Sequence, residues 1–486
     1  MRQETMEPAD ALVHEKVEHL FVLIGENPLP AYVAARTLLK PGGTLYPVYS
    51  QYTEKVFTAL CATLASHGFG DGESGEIRRI AGVPLVADKY ASLRLAEYDS
   101  HHIAREITRI VAKIKRENPT STIGLNYTSG TGPMGVHSYM ALRDWYRLPD
   151  PHTGQKPPGP EPIFSYLDPR TPRMLVDKAQ GRPEAYPITL KINVDELILL
   201  HGLRQKETEG DSILPDAASK LAKMFSSSQK ALKSWTGWCA TVLDRECRAM
   251  IDGRREWKSE ADLAEIALPL TRPNPSSYSD GDPSTQALHD SALTFLREEY
   301  GVVGDTLPLR ALAEVGGFSS LQTGCAWLHG RWLESYVLAQ VNALADSLPP
   351  SAAIHSARQS IVILRDASEK ERFEFDVAFV IGYQLFAISC TTSRERSRCK
   401  SKLLEAYVRA RQLGGGEART ALVCMLSDIL PSDDQDAGGV QELEKELKLV
   451  LDDTRIAVFG RSHLMSLPLR LREWVNANSS GSVDAP

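Results

Sequence analysis

Apolar residues along the first 150 positions follow two alternating rhythms. Continuous apolar runs at "HLFVLIG" (19–25), "TLYPVYS" (44–50) and "STIGLNYTSG" (121–130) read as buried strands. Between them, "AYVAARTLLK", "QYTEKVFTALCATLASHG" and "IAREITRIVAKIKREN" repeat apolar positions every three to four residues and read as helices. Strands alternating with helices predict an α/β fold with a parallel, doubly wound sheet. Ligands of such sheets sit beyond the carboxyl ends of the strands, where the loops at 25–30 and 126–134 fall.

The rhythm breaks at "DPHTGQKPPGPEP" (150–162), a Pro/Gly linker and a candidate domain boundary. The first unit is therefore set at 15–150, and a mostly helical middle region at 160–295 is expected to couple the units on either side. A third unit, 300–473, opens with the helical pattern "GCAWLHGRWLESYVLAQVNALADSL". Strands "SIVILRD", "FEFDVAFVIG" and "QLFAISCTT" follow, then a helix at 400–412 and a strand "TALVCML". That order, helix–β–β–β–helix–β, is the order of a restriction-endonuclease-like core, although periodicity alone supports only α/β. Residues 474–486 read as a disordered tail.

Composition narrows the class. With 486 residues the chain has room for two to four domains, at roughly 100–200 residues each. A net charge of −7 argues against indiscriminate coating of nucleic acid, while leaving room for a local basic groove. The seven cysteines are odd in number and form no CxxC pair, which favours reduced thiols and a cytoplasmic protein. No signal peptide is read at the start, and no stretch reaches the ~18 apolar residues of a membrane span.

Chemistry concentrates in a few places. Asn126 to Thr131 end a strand and precede a helix at Met134–Leu142, so backbone N–H groups and the hydroxyls of Thr128, Ser129 and Thr131 can hold phosphates. Gly130 and Gly132 allow unusual φ values or close ligand approach. The phosphate-gripping pattern GxxxxGK[ST] is absent, and an ordinary strand–turn–helix connection stays open as the alternative. In the partner loop, "IGENPLP", Gly25 ends a strand, and Asn27, Pro28 and Pro30 shape the turn into the next helix.

Together, "VLIGENPLPAYVAARTLLKPGGTLYPVYSQYTEKVF" and "IGLNYTSGTGPMGVHSYMAL" resemble the CARF domain of CRISPR-associated effectors that pair it with a PD-(D/E)xK, restriction-endonuclease-like nuclease. The resemblance implies an N-terminal Rossmann-like domain that dimerises and binds a cyclic oligoadenylate, often cyclic tetra-adenylate, across its two-fold axis. A two-fold ring suits an isologous interface, since each half meets the same loops. It implies ligand contacts from Gly25, Glu26, Asn27, Pro28, Asn126, Thr128, Ser129, Gly130, Thr131 and Met134. The family pattern "N(Y/L)TGGTKxM" is altered here, with Ser129 for a glycine and Gly132 for the lysine. Loss of that lysine can weaken phosphate contact or change the preferred ring size.

The third unit carries the other half of the resemblance. "GRWLESYV" resembles the family helix motif "GxWLExYV" and supplies Glu334; Asp376 in "FEFDVAFV" stands at the strand aspartate. "ISCTT" replaces "(E/S)CK(T/S)", which puts Ser389 at the Glu/Ser position and Thr391 at the lysine position. Glu334, Asp376 and the Cys390 carbonyl are the oxygen set implied for Mg²⁺ or Mn²⁺. Lys400 and Lys402 are candidates to restore the missing charge, against the alternative of a solvated basic face. Arg394, Arg396, Arg398, Lys400 and Lys402 recur at i, i+2, which would align them along one face of an extended loop as a track for a nucleic-acid backbone. His101, His102 and His329 lack partners at metal-ligand spacing, and Trp235 and Trp238 read as packing.

The implied function is a cyclic-oligoadenylate-activated, metal-dependent nuclease of type III CRISPR antiviral defence, cutting DNA or RNA. The loss of the ExK pair keeps a second reading open: a degenerate, ligand-controlled dimer that recruits a partner or binds nucleic acid without cutting it.

Overall fold

A computed structural model of the protein describes residues 12–70, 78–85, 98–149, 154–157, 159–168, 171–178, 182–206, 213–251, 253–270, 288–348, 353–365, 370–427 and 439–479. The first sheet is built from β1 (Val17–Leu23), β2 (Leu39–Ser50), β3 (Arg79–Ile80), β4 (Val83–Leu85), β5 (Ile123–Asn126), β6 (Ile163–Leu167), β7 (Arg173–Val176) and β8 (Glu184–Pro187). Its order is β3-β2-β1-β5-β6-β7-β8, with β4 also on β2. Helices α1 (Leu29–Leu38), α2 (Glu54–Ala65), α3 (Ser100–Glu117) and α4 (Gly132–Arg147) connect the strands. The pairs β1–β2, β1–β5 and β5–β6 are parallel, which gives the expected Rossmann-like arrangement. The chain leaves β1 toward β2 on one side and returns to β5 on the other, so the loops after β1 and β5 meet at a topological switch point.

Strands β6 to β8 come from the stretch expected to open the middle region, and they extend the first sheet through antiparallel pairs. Beyond them, α5 (Val194–Leu200) and β9 (Arg204–Gln205) lead into a helical segment. It comprises α6 (Pro215–Ser227), α7 (Gln229–Trp238), α8 (Asp244–Cys247), the hairpin β10 (Arg248–Ile251) and β11 (Arg254–Trp257), α9 (Glu260–Ala264), β12 (Ala267–Pro269), α10 (Asp290–Tyr300), β13 (Thr306–Pro308), α11 (Leu309–Gly316) and α12 (Leu321–Ala326). Trp235 and Trp238 are buried in its core, in keeping with their reading as packing residues.

The C-terminal part runs α13 (Trp332–Ala345), β14 (Ile354–Arg365), β15 (Lys370–Ile381), β16 (Gln384–Thr391), α14 (Arg396–Gly414), β17 (Arg419–Cys424), α15 (Val440–Val450), β18 (Ala457–Phe459) and α16 (Leu467–Ser479). The second sheet has the order β18-β17-β16-β15-β14-β9. Strands β14 to β16 are antiparallel, and β16, β17 and β18 are parallel. Helix α16 reaches Ser479, inside the stretch expected as a tail; residues 480–486 lie outside the described residues, as does the whole of "TRPNPSSYSDGDPSTQ" (271–286).

The two sheets share one apolar core. Tyr32 and Ala35 of α1, Leu197 and Ile198 of α5, Ala378 and Leu385 of the second sheet, and Leu413 of α14 belong to a single buried cluster. All are at most 2% exposed, so α1, which follows the loop after β1, and the second sheet are connected through close packing, which transmits displacement. Among the described residues no helix is long and apolar enough to cross a membrane. All seven cysteines are free thiols, as expected, and six of them are buried.

Candidate ligand loops and candidate active-site cleft

The loop after β1 and the loop after β5 are tied to each other. Ser129 Oγ accepts from the Gly25 amide at 3.1 Å and donates to the Asn27 carbonyl at 3.4 Å. Gly130 sits at φ +83°, and a Cβ there would come within 2.9 Å of Leu23 Cβ. A Cβ on Gly25 would come within 2.7 Å of Ser129 Oγ. Both glycines are therefore required by close approach. Thr131 caps α4 by accepting from the Met134 amide at 3.3 Å. Thr128 Oγ1 donates to Asn126 Oδ1 at 2.8 Å and accepts from Leu167 N at 2.7 Å.

These bonds sort the ten candidate ligand residues. Glu26 is exposed and Gly25, Asn27, Thr128, Ser129, Gly130 and Thr131 are partly exposed at the sheet end. Asn126, Pro28 and Met134 are buried. Met134 packs beneath Gly130, and the Asn126 amide donates to Ser165 Oγ at 3.2 Å. The Asn126 and Met134 side chains brace the loop from below, and Pro28 is buried beside Asn27. Neither loop carries lysine or arginine, so anion binding there depends on amide groups, hydroxyls and the α4 N-terminus.

The second constellation lies where α13, β15, β16 and α14 converge. Glu334 is 9% exposed, and Ser360 Oγ donates to its Oε2 at 2.6 Å. Burial, then the charge of Asp376, push the Glu334 carboxyl well above the usual range. Asp376 Oδ2 accepts from Ser389 Oγ at 2.8 Å and from the Cys390 amide at 2.6 Å. Its carboxyl is raised by burial, against the opposing pull of Lys402, these two bonds and Arg331. Ser389 thus holds the aspartate in place, and Cys390 contributes its amide; burial raises the Cys390 thiol well above its usual value.

Asp376 and Ser389 line a pocket of about 210 Å³, and Glu334, Cys390 and Thr391 line a cleft of about 690 Å³. Lys402 borders both. Lys400 does not: its ammonium pairs with Glu446 Oε1 at 2.5 Å. The basic run is therefore not an extended track. From Arg396 onward it is helical, and i, i+2 spacing on a helix sends neighbours to opposite sides. Arg396 joins Lys400 on Glu446, at 2.7 Å, while Arg394, Arg398 and Lys402 turn to the cleft.

The opposite wall was missed in the sequence. Asp244, Arg248 and Trp257 come from the helical middle segment and line the same cleft, so that segment does more than join its neighbours; His329, set aside in the sequence for want of metal-ligand partners, lies beside them at the start of the C-terminal part. Two π-helical turns, Cys239–Leu243 and Trp327–Arg331, face one another there, and the Trp235 indole donates to the Leu328 carbonyl at 3.1 Å. π-Turns of this kind concentrate at functional sites. His329 Nε2 lies 3.4 Å from Asp244 Oδ2. An Asp-Gly turn between alternating residues, "RAMIDGRREW", was the available signal for the hairpin.

The residues fit a divalent cation in one way. Among the described residues no group of three or more His, Cys, Asp or Glu side chains can hold a metal. Glu334 and Asp376 nevertheless form a mutually repelling carboxylate pair beside open volume, and a hard cation completes its shell with water and phosphate oxygens.

No family model and no curated protein match the chain. Solved structures do. Protein VC1899 from Vibrio cholerae is 15% identical, with a TM-score of 0.59 over 95% of this chain and 98% of that one. Can2 from Sulfobacillus thermosulfidooxidans, solved in complex with cyclic tetra-adenylate, is 13% identical, with a TM-score of 0.55 over 94% of this chain and 99% of that one. The chain shares their fold over nearly its whole length.

Proposed function

We propose that the protein is a nuclease of CRISPR antiviral defence, switched on by a cyclic oligoadenylate that binds a homodimer of its N-terminal sensor domain. The observation that supports this best is the pair of interlocked loops at the switch point, built from small residues and amides, on a fold shared with a structure that holds cyclic tetra-adenylate. A ring with one charge per phosphate needs less cationic help than a triphosphate. Gly25, Glu26, Asn27, Thr128, Ser129, Gly130 and Thr131 contact the ring in this reading.

Glu334 and Asp376, with the Cys390 carbonyl, are the residues that would hold Mg²⁺ or Mn²⁺, which would polarise a scissile phosphate and lower the pKa of bound water. Ser389 and the Cys390 amide fix the Asp376 carboxylate. Lys402 takes over the charge that the family pattern places at the position of Thr391, and stabilises negative charge developing at the phosphate. Arg331 and Arg398 hold the strand on either side. Binding of the ring shifts the population of the packed core toward an arrangement in which the cleft accepts its substrate.

The shortage of metal-binding side chains among the described residues favours the second reading, a ligand-controlled dimer that recruits a partner or binds nucleic acid without cutting it. Incubation with Mn²⁺ and single-stranded DNA, RNA or supercoiled plasmid, with and without cyclic tetra-adenylate, separates them. Cleavage that requires the ring and disappears in Asp376→Ala supports the nuclease. Ring binding with no cleavage of any substrate leaves the second reading, and absence of ring binding removes both.

A further inference from the structure

Hairpin β10–β11 extends one wall of the cleft. Its register opposes Arg248 to Trp257, Ala249 to Glu256, Met250 to Arg255 and Ile251 to Arg254. Because side chains alternate along a strand, Arg248, Trp257, Met250 and Arg255 share one face and Glu256 lies on the other. The shared face begins inside the cleft, where Arg248 and Trp257 are lining residues.

Each element of that face is arranged in advance. The Arg248 guanidinium stacks on the Trp257 ring at 3.8 Å and pairs with Asp244 Oδ1 at 3.0 Å. Arg255 donates to the Asp244 carbonyl at 3.1 Å, which ties the outer part of the hairpin to the same wall. Met250 is 69% exposed beside it. A large apolar side chain left so open, flanked by arginines and continuous with a basic cleft, has the alternation of cation and flat or apolar surface on which bases stack while phosphates are neutralised.

We propose that this face of the hairpin is a binding arm for an unpaired nucleic-acid strand, guiding it into the cleft between Arg248 on one wall and Arg398 and Lys402 on the other. The inference rests on the nuclease reading and assigns its substrate form: packing against Met250 and stacking on the Arg248–Trp257 pair need exposed base faces, which a duplex conceals. The contacts carry no base-specific code, so binding tolerates any sequence.

Fluorescence anisotropy of the full-length protein in EDTA, where no cutting occurs, tests this with labelled 20-mer oligo-dT and a mixed-sequence duplex of the same length. Wild type binds the unpaired strand more tightly than the duplex. Met250→Ala with Arg255→Ala weakens binding about tenfold and flattens the salt dependence by roughly one phosphate contact. Both side chains are exposed, and a thermal melt like wild type's shows the variant folded. Ile251→Ala, on the opposite face, changes affinity less than twofold. If the double variant binds like wild type while Lys402→Ala and Arg398→Ala weaken binding, the hairpin inference is overturned and the nuclease reading stands. Equal affinity for strand and duplex overturns the unpaired-strand assignment. If wild type binds neither, with or without cyclic tetra-adenylate, the hairpin inference and the nuclease reading both fall.

Discussion

The Lys402 ammonium stands beside Asp376 and opposes the burial that raises that carboxyl's pKa. Lys400, two residues earlier on the same helix, points away to Glu446. The two lysines are therefore expected to separate in function. Lys402→Ala is expected to lower ring-dependent cleavage by about 10²-fold or more, the scale of losing one electrostatic stabiliser. Lys400→Ala should leave cleavage within a few-fold. Single-turnover assays with saturating activator check this, and equal losses in both variants would show that helix charge in general, not Lys402, matters.

Gly130 makes the candidate ligand loop sensitive to a single methyl group. Its φ of +83° and the 2.9 Å approach to Leu23 Cβ leave no place for a side chain. Gly130→Ala must shift the turn that carries Ser129 and Thr131, at a cost of about 1–3 kcal/mol. Calorimetry with cyclic tetra-adenylate should show affinity reduced tenfold or more, since about 1.4 kcal/mol corresponds to a factor of ten. Gly132→Ala is the control, because nothing lies within 4 Å of a Cβ there. Unchanged affinity in both variants would place the ligand elsewhere.

How much of this was legible in the sequence depends on whether a feature is local. The buried runs that became β1 and β5 announce themselves, since strands covered on both faces are continuously apolar. Glu334 and Asp376 were found because the short stretches around them, "GRWLESYV" and "FEFDVAFV", resemble a family's motifs. The direction of the basic run was not, because i, i+2 spacing means one face on a strand and two faces on a helix; only its position on α14 decides. Asp244, Arg248 and Trp257 were missed for a different reason. They lie roughly 75 residues or more before the nearest part of the opposite wall, and their relevance arises from long-range packing of the two π-turns. Met134 and Asn126 sit within the candidate ligand motif and yet face the core, a distinction that depends on the side of the loop each occupies.

His201 gives the fold an acid-sensitive joint. Its Nε2–H donates to the Leu413 carbonyl at 2.9 Å, and burial, with the nearby Arg372 charge, lowers its pKa from 6.5 to about 4. The folded chain thus resists a proton that the unfolded chain accepts below about pH 6.5. Stability is lost as pH falls from 6.5 toward 4, by on the order of 3 kcal/mol from this group. Carboxylates titrate in the same range, so the comparison is with His201→Gln, which keeps an amide donor and cannot titrate. Denaturation midpoints measured from pH 7 to pH 4 should converge or cross, wild type falling faster. Parallel curves would mean that His201 is protonated as easily folded as unfolded.

Asn27 joins the candidate ligand loop to the helix that carries Lys402. Its carbonyl accepts from Ser129, its Oδ1 accepts from the Leu29 amide at 3.0 Å, and its Nδ2 lies where a Cβ on Gly415 would fall. Gly415 follows the last turn of α14 at φ +61°, so alanine there meets both an unfavourable backbone conformation and the Asn27 amide. Lys402 lies 13 residues back along that helix, roughly 20 Å at 1.5 Å per residue, a rigid span between loop and cleft. A double-mutant cycle isolates the contact. Gly415→Ala should destabilise wild type strongly but Asn27→Ala only by the residual strain of the positive φ, about 1 kcal/mol. The double variant is therefore expected to be more stable than the sum of the single losses by about 1–2 kcal/mol. Additivity within about 0.5 kcal/mol would show that Asn27 and α14 yield independently, and that the loop does not bear on the helix through this contact.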